Sequence, residues 1–116
     1  MIHYAPTDNN ILALAIEGGF EERELSELQS LLDHKLRQFD SLRMYLEITK
    51  VSDPESVFKE IGMHLALLKD FDRTALVLDS GGALSVAEHG DPLFACPIQG
   101  FEIDQREQAQ AWISQN

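Results

Sequence analysis

Residues 74–78, Thr-Ala-Leu-Val-Leu, form an apolar and partly β-branched run that constrains the fold more than any other segment. Charged residues stand only at its ends, with Lys-Asp-Phe-Asp-Arg before it and Asp79 after it. A strand that is apolar on both faces is typical of a parallel sheet with helices above and below it. The run therefore predicts a central strand, and the rest of the chain is expected to supply helical layers.

Four further segments have the pattern of strands. The first two are separated by the turn-forming residues Thr7 to Asn10 and are expected to form a hairpin, which leaves the first strand on a sheet edge. The third alternates, with Met44, Leu46 and Ile48 on one face. The four predicted strands are residues 2–5, 11–17, 42–48 and 98–103.

Helical patterns alternate with these strands. Acidic residues begin the first helix and Lys35 and Arg37 stand near its end, so the acidic cluster is interpreted as a complement to the helix dipole rather than as a metal site. Asp53 and Pro54 are a typical N-cap and first-turn pair. The predicted helices are residues 21–39, 54 to about 68, 83–89, and a final helix capped by Asp104 with Glu107 three residues later.

The order of these elements predicts one α/β domain over residues 1–116, with a mixed, mostly parallel five-stranded sheet and four helices. The net charge of −11 argues against nucleic acid and against electrostatic attraction to membranes. Cys96 is the only cysteine, so no internal disulfide can form. Since we find no signal peptide and no spanning segment, we expect a cytoplasmic protein that meets membranes only peripherally, through apolar groups.

Several segments resemble the SpoIIAA-like family, whose fold is similar to the STAS domain. The resemblance covers nearly the whole chain and implies a STAS-like α/β fold. It also implies a layout like that of lipid-carrying domains, whose helices can part to admit an apolar ligand. The similar segments are Met1-Ile2, Leu46-Glu47-Ile48, Lys69-Asp70-Phe71-Asp72-Arg73 leading into Ala75-Leu76-Val77, and Asp104-Gln105-Arg106-Glu107-Gln108-Ala109 followed by Ala111-Trp112-Ile113.

The same resemblance raises a phosphoswitch as the alternative function. Anti-sigma-factor antagonists carry an Asp-Ser-Ser-Gly-type motif between the third strand and the second helix, and phosphorylation of its serine repels the partner. Residues 49–54 of this chain read Thr-Lys-Val-Ser-Asp-Pro, without that motif, and a similar Asp-Ser-Gly-Gly follows one strand later, at 79–82. Ser52 is the one phosphosite candidate carried over, although an ordinary helix-start serine explains it equally well.

The second predicted helix and the region of the third have more apolar residues than one sheet contact can use. Excess apolar side chains with adaptable Met63 suit a pocket or a docking groove, whereas two helices that simply pack together would explain them as well. We predict non-catalytic binding of an apolar, lipid-like molecule, a membrane surface, a protein partner or a second copy. The candidate ligand-binding residues are Phe58, Met63, Ala66, Leu67, Leu84, Val86, Leu93 and Phe94.

A reaction site is a further possibility at the carboxyl ends of the strands, where open α/β sheets usually bind ligands. Glu47 and Asp79 lie near strand ends, and His64 and His89 follow on predicted helices. Carboxylates with a histidine would suit a metal or acid–base chemistry. Because metal-ligand spacing is missing and Asp79 also suits a turn, we predict no catalytic residue, no metal and no cofactor.

Overall fold

Five strands form a single sheet in the order β1-β2-β3-β4-β5 in the computed structural model, which describes residues 1–5, 7, 9–65, 69–79 and 97–115. β1 is antiparallel to β2, and each later strand is parallel to the one before it. The predicted mixed, mostly parallel sheet with the first strand on its edge is therefore confirmed. The strands are β1 (Ile2–Ala5), β2 (Ile11–Glu17), β3 (Leu42–Thr49), β4 (Phe71–Leu78) and β5 (Ile98–Glu102).

Three α-helices lie in the described part of the chain, not the four predicted, because residues 83–89 lie outside it. They are α1 (Glu22–Leu36), α2 (Pro54–His64) and α3 (Arg106–Ser114). α2 has the predicted cap, since Asp53 Oδ1 accepts a hydrogen bond of 3.1 Å from the Ser56 N–H. The predicted extension of this helix to residue 68 falls on residues 66–68, which also lie outside the described ranges.

The predicted start of the last helix is wrong by one residue, because the helix begins at Arg106. Asp104 lies inside a short 3-10 turn, Ile103–Gln105, rather than at a cap position. The Glu102 N–H instead donates to Gln105 Oε1 over 2.9 Å, as a glutamine at the third position of a capping box does. β4 also begins earlier than predicted, at Phe71, because Phe71 pairs with Leu42 at the start of β3.

The larger core lies on the sheet face that carries α1 and α2, and we call it the major core. Alternate residues of β2 and β3 point into it, and the helices cover them with Leu28 and Leu32 from α1 and with Phe58 and Ile61 from α2. Most stabilisation should come from this layer, because burial of apolar surface contributes roughly 25 cal/mol per Å². The strand residues concerned are Leu12, Leu14, Ile16, Met44, Leu46 and Ile48.

A smaller core lies on the opposite face, under α3. Ala109 and Ile113 of α3 pack with Tyr45, with Phe101 and with the central strand residues Ala75 and Val77. Every residue from 74 to 78 is buried, so β4 is covered on both faces as its sequence predicted. Over β1 and β2, however, no described element covers this second face.

Two arginines on neighbouring strands hold the carboxyl end of α3. Arg43 and Arg73 are paired in register on β3 and β4. Arg43 Nη1 donates to the Ile113 carbonyl over 3.0 Å, and Arg73 Nη1 donates to the Trp112 carbonyl over the same distance. The Arg73 guanidinium also lies 5.3 Å from the centre of the Trp112 ring. Cations are favourable at this end of a helix, where carbonyl groups lack helical partners.

Glu24 joins α1 to the edge strand. Its carboxylate accepts hydrogen bonds from the Ile2 N–H and from the Glu21 N–H. These two bonds, the one from Ile2 first, lower the pKa of Glu24 below its ordinary value of 4.5. The charged form is therefore favoured by folding, and the bond to Ile2 occupies one of the backbone donors of the edge strand.

Acidification should weaken the fold through Glu24. Because its pKa is lower in the folded state, its contribution is complete above about pH 4.5 and is lost as pH falls through the folded pKa. We expect Glu24→Gln to be less stable than wild type at pH 7 and to lose part of the acid dependence, measured by urea unfolding from pH 3 to 7. Glu22→Gln, exposed in the same helical turn, is the control and should follow the wild-type curve.

Candidate functional site

A groove of about 460 Å³ opens beside α3, where the described elements leave the second face of the sheet uncovered. Its floor includes the small side chains Ala5, Ala13 and Ala15 from β1 and β2. Tyr45 and Glu47 of β3 form one wall, and Gln110 and Ile113 of α3 continue it. We call this cavity the open-face groove.

The strand register explains the shape of the groove. His3 is paired with Ala15, and Ala15 is paired with Glu47, so these residues form one row across three strands. Because strands lie about 4.8 Å apart, His3 and Glu47 are separated by roughly 10 Å at their backbones. The methyl group of Ala15 is the only side chain between His3 and Glu47 in this row, and a trough lies above it.

The wall beside α3 is a connected polar network. The Tyr45 hydroxyl donates to Glu47 Oε1 over 2.6 Å, and Arg106 donates to the same carboxylate from Nε at 2.8 Å and from Nη2 at 3.3 Å. Gln110, one helical turn after Arg106, continues this wall. The Glu47 side chain is 15% exposed and that of Arg106 is 52% exposed, so the carboxylate is sheltered while the guanidinium reaches solvent.

Burial, and then the hydrogen bond to Glu47, raise the pKa of Tyr45 well above its ordinary value of 10. The phenol therefore stays protonated at physiological pH and acts as a hydrogen-bond donor rather than as a base. A fixed donor, a sheltered carboxylate and an apolar floor together suit the binding and orientation of a ligand.

A family model described as SpoIIAA-like matches residues 11–114, which is nearly the whole chain. The chain belongs to the SpoIIAA-like family. Its fold is similar to that of an uncharacterised protein from the DUF3478 family of Shewanella loihica PV-4, described as having a SpoIIAA-like fold, with a TM-score of 0.65. The two chains are 13% identical over 97% of this chain and 92% of the other, a likeness that shows the fold alone. No curated protein matches the chain.

The described candidates for a reaction site in this SpoIIAA-like chain are not brought together. Glu47 points to the α3 side of the sheet, whereas His64 contacts α1 on the other side, with Nε2 3.0 Å from the Leu25 carbonyl oxygen. Asp79 accepts a 3.0 Å hydrogen bond from the Lys50 N–H, at a residue with a left-handed φ of 58°. His89 lies outside the described residues. Among the side chains that the structure does describe, no group of three or more is placed to hold a metal ion.

The structure separates the two predicted ligand-binding residues that it describes. Phe58 is 2% exposed and belongs to the major core, whereas Met63 is 68% exposed on α2. Ser52 is exposed and immediately precedes the cap residue Asp53. None of the helices in the described ranges has the length and apolar character needed to cross a bilayer. The remaining predicted ligand-binding residues, Ala66, Leu67, Leu84, Val86, Leu93 and Phe94, and also Cys96, lie outside these ranges.

The open-face groove was missed by sequence reasoning, although β2 carries a signal for it. Residues 11–16 read Ile-Leu-Ala-Leu-Ala-Ile, and the side that enters the major core is uniformly large. The opposite side bears the small residues Ala13 and Ala15 after Ile11. A strand that is bulky on one face and small on the other indicates a shallow or open second face.

Proposed function

We propose that this SpoIIAA-like domain is a non-catalytic binding module that holds a small, largely apolar ligand in the open-face groove. The observation that supports the proposal is a groove of about 460 Å³ with an alanine floor and a polar wall. Ligand sites commonly have volumes of roughly 300–1,000 Å³ and combine apolar surface with a few placed polar groups. The proposal retains the binding role predicted from the sequence and moves the site from the second and third predicted helices to the sheet.

The polar wall supports binding more than catalysis. A general acid or base works best when its pKa lies near the working pH, and the raised pKa of Tyr45 removes that residue from this role. The Glu47 carboxylate is already hydrogen-bonded by Tyr45 and paired with Arg106. These contacts give the wall a fixed geometry, which favours selection of a ligand by shape and hydrogen bonding.

A small molecule is favoured over the larger partners that the sequence left open. The net charge of −11 opposes close approach of a second copy of the chain and of an anionic membrane surface. A cytoplasmic location and peripheral membrane association remain predictions from the sequence.

Filling the groove should abolish binding. Ala15→Leu places a large side chain on the floor between His3 and Glu47, at a half-exposed strand position where a bulkier residue is tolerated. We expect wild type to bind the neutral apolar dye Nile red with amide shifts at Ala13 and Ala15 in ¹H–¹⁵N spectra. Ala15→Leu should weaken this binding by about tenfold or more, since it removes the space for the dye.

The control is Ala111→Leu, which makes the same change at an exposed position of α3 and should leave binding unaltered. Native mass spectrometry of protein purified from cells offers a second measurement, in which a co-purified small molecule should be lost from Ala15→Leu alone. Dye-induced shifts confined to residues 54–64 would contradict the proposal and return the site to the second helix.

Phosphorylation at Ser52 is a second candidate function, favoured by the exposure of this side chain just before the start of α2. A phosphate near a helix amino end is favoured by the helix dipole, although Asp53 and Glu55 would oppose it. Intact-mass analysis of protein from cells should then show one added phosphate that is absent from Ser52→Ala. A homogeneous unmodified mass would count against this candidate.

A further inference from the structure

We infer that the ligand of the open-face groove is an amphiphile whose polar end donates hydrogen bonds, such as an amine or an alcohol, rather than a carboxylate or a phosphate. The inference rests on the proposed function of the groove and adds the chemical class of the ligand. It follows from the charge of the lining, the unused acceptor capacity of Glu47 and the position of Glu47 in the cross-strand row.

The charge of the site favours a neutral or cationic ligand. Glu47 is the one residue with a formal charge at pH 7 among the described lining residues, with His3 counted as neutral. The whole chain carries a net charge of −11, so the surrounding potential also disfavours anions. Arg106 pairs with Glu47 but does not itself line the groove. The described lining therefore contains no lysine or arginine.

Glu47 still has acceptor capacity. A carboxylate offers about four acceptor positions, two on each oxygen. The hydrogen bonds found here place two donors on Oε1, from Tyr45 and from Arg106 Nε, and one longer contact of 3.3 Å on Oε2, from Arg106 Nη2. A ligand donor can therefore bind Oε2 without displacing Arg106. An ammonium or hydroxyl group can donate this hydrogen bond.

The strand register sets where the rest of the ligand lies. With its polar end at the row of His3, Ala15 and Glu47, an apolar body would extend along β2 past Ala13 to Ile11. These four residue steps span about 13 Å at 3.3 Å per residue. At the row of Ala15 the trough is one strand wide, so it suits a single alkyl chain or one flat ring there.

Three probes with the same alkyl chain test the inference: octylamine, octanol and octanoate. Titration of wild type should shift the amides of Ala13 and Ala15, with octylamine and octanol binding at least about tenfold more tightly than octanoate. Glu47→Gln should lower the octylamine affinity by about tenfold and the octanol affinity by less than about threefold, because only the amine carries a positive charge that pairs with the Glu47 carboxylate. Glu60→Gln makes the same charge change on α2 and should alter neither affinity.

The outcomes separate the two proposals. Octanoate binding as tightly as octylamine in wild type would overturn the ligand class, and this comparison does not depend on how well Glu47→Gln folds. Nile red binding in the groove without competition from any octyl probe would also overturn the ligand class while leaving the proposed function in place. If neither Nile red nor an octyl probe shifts Ala13 and Ala15, the proposed function itself fails.

Discussion

Replacing Phe58 by alanine should lower the free energy of unfolding by about 3–5 kcal/mol, as the loss of a fully buried aromatic side chain commonly does. Phe58 is 2% exposed and is among the largest fully buried side chains of the described residues. It lies in the major core with Leu28, Ile61 and the β-strand residues beneath them. Alanine would remove most of this apolar surface and leave a cavity that the sheet and α1 can only partly close. Denaturant unfolding followed by circular dichroism measures the difference.

Met63→Ala is the matched control for this experiment, because it truncates a large apolar side chain of the same helix that is 68% exposed. Its effect should stay within about 0.5 kcal/mol. The placement of Phe58 in the core would be contradicted if both variants lowered the free energy of unfolding equally. A decrease below about 1 kcal/mol for Phe58→Ala would contradict it as well.

The difference in exposure between Phe58 and Met63 changes how the predicted binding surface on α2 can be tested. Phe58→Asp would put an unpaired charge into the core and would report on folding, whatever the surface does. Met63→Asp changes an exposed position, so altered ligand content or oligomeric state in that variant would report on the surface itself. Only Met63 therefore remains a usable probe among the predicted ligand-binding residues that the structure describes.

Replacing Arg73 by methionine should lower the free energy of unfolding by about 2–3 kcal/mol. The change removes a charged hydrogen bond to the Trp112 carbonyl, of a kind worth about 1.5–3 kcal/mol, and a contact of the guanidinium with the Trp112 ring, worth about 0.5–1 kcal/mol. Methionine retains an apolar stem, so the loss isolates the guanidinium. Hydrogen exchange should show reduced protection in residues 106–114 before other elements are affected.

Lys59→Met is the control for the loss of a cation. Lys59 forms a 3.5 Å pair with Glu55 on the exposed side of α2, and surface pairs of this kind contribute about 0–1 kcal/mol. Faster exchange spread evenly over the sheet in Arg73→Met, or confined to residues 54–64, would show that Arg73 does not anchor α3.

Much of the fold could be predicted because its signals are local. β1 and β2 have the predicted bounds, and α2 begins at Pro54 behind the predicted cap. The errors lie at element starts, one decided by pairing between distant residues and the other by a local side-chain cap. β4 begins at Phe71, inside a segment that looks like a charged turn, because β3 offers it a pairing partner. The last helix begins after a 3-10 turn, which the Gln105 side chain closes.

The candidate site was less predictable than the fold. The alternation of large and small residues in β2 indicates an open face, but it does not show which residues stand opposite. The opposing residues depend on the strand register, which places His3 on one side of Ala15 and Glu47 on the other. His3 and Glu47 are far apart in the chain. The sequence pointed instead to α2, where periodicity alone cannot distinguish Phe58 in the core from Met63 at the surface.

By itself, the sequence determined the alternating elements, the doubly buried central strand and the acidic charge, because periodicity, capping and composition act within a few residues. The tertiary structure alone decided that α3 covers only part of the second face and that Tyr45, Glu47 and Arg106 meet beside the part that no described element covers. Glu47 and Arg106 are 59 residues apart, so their ion pair depends on how strands and helix are arranged in space. Local patterns can specify a strand or a helix, but the packing of one element on another creates the groove between them.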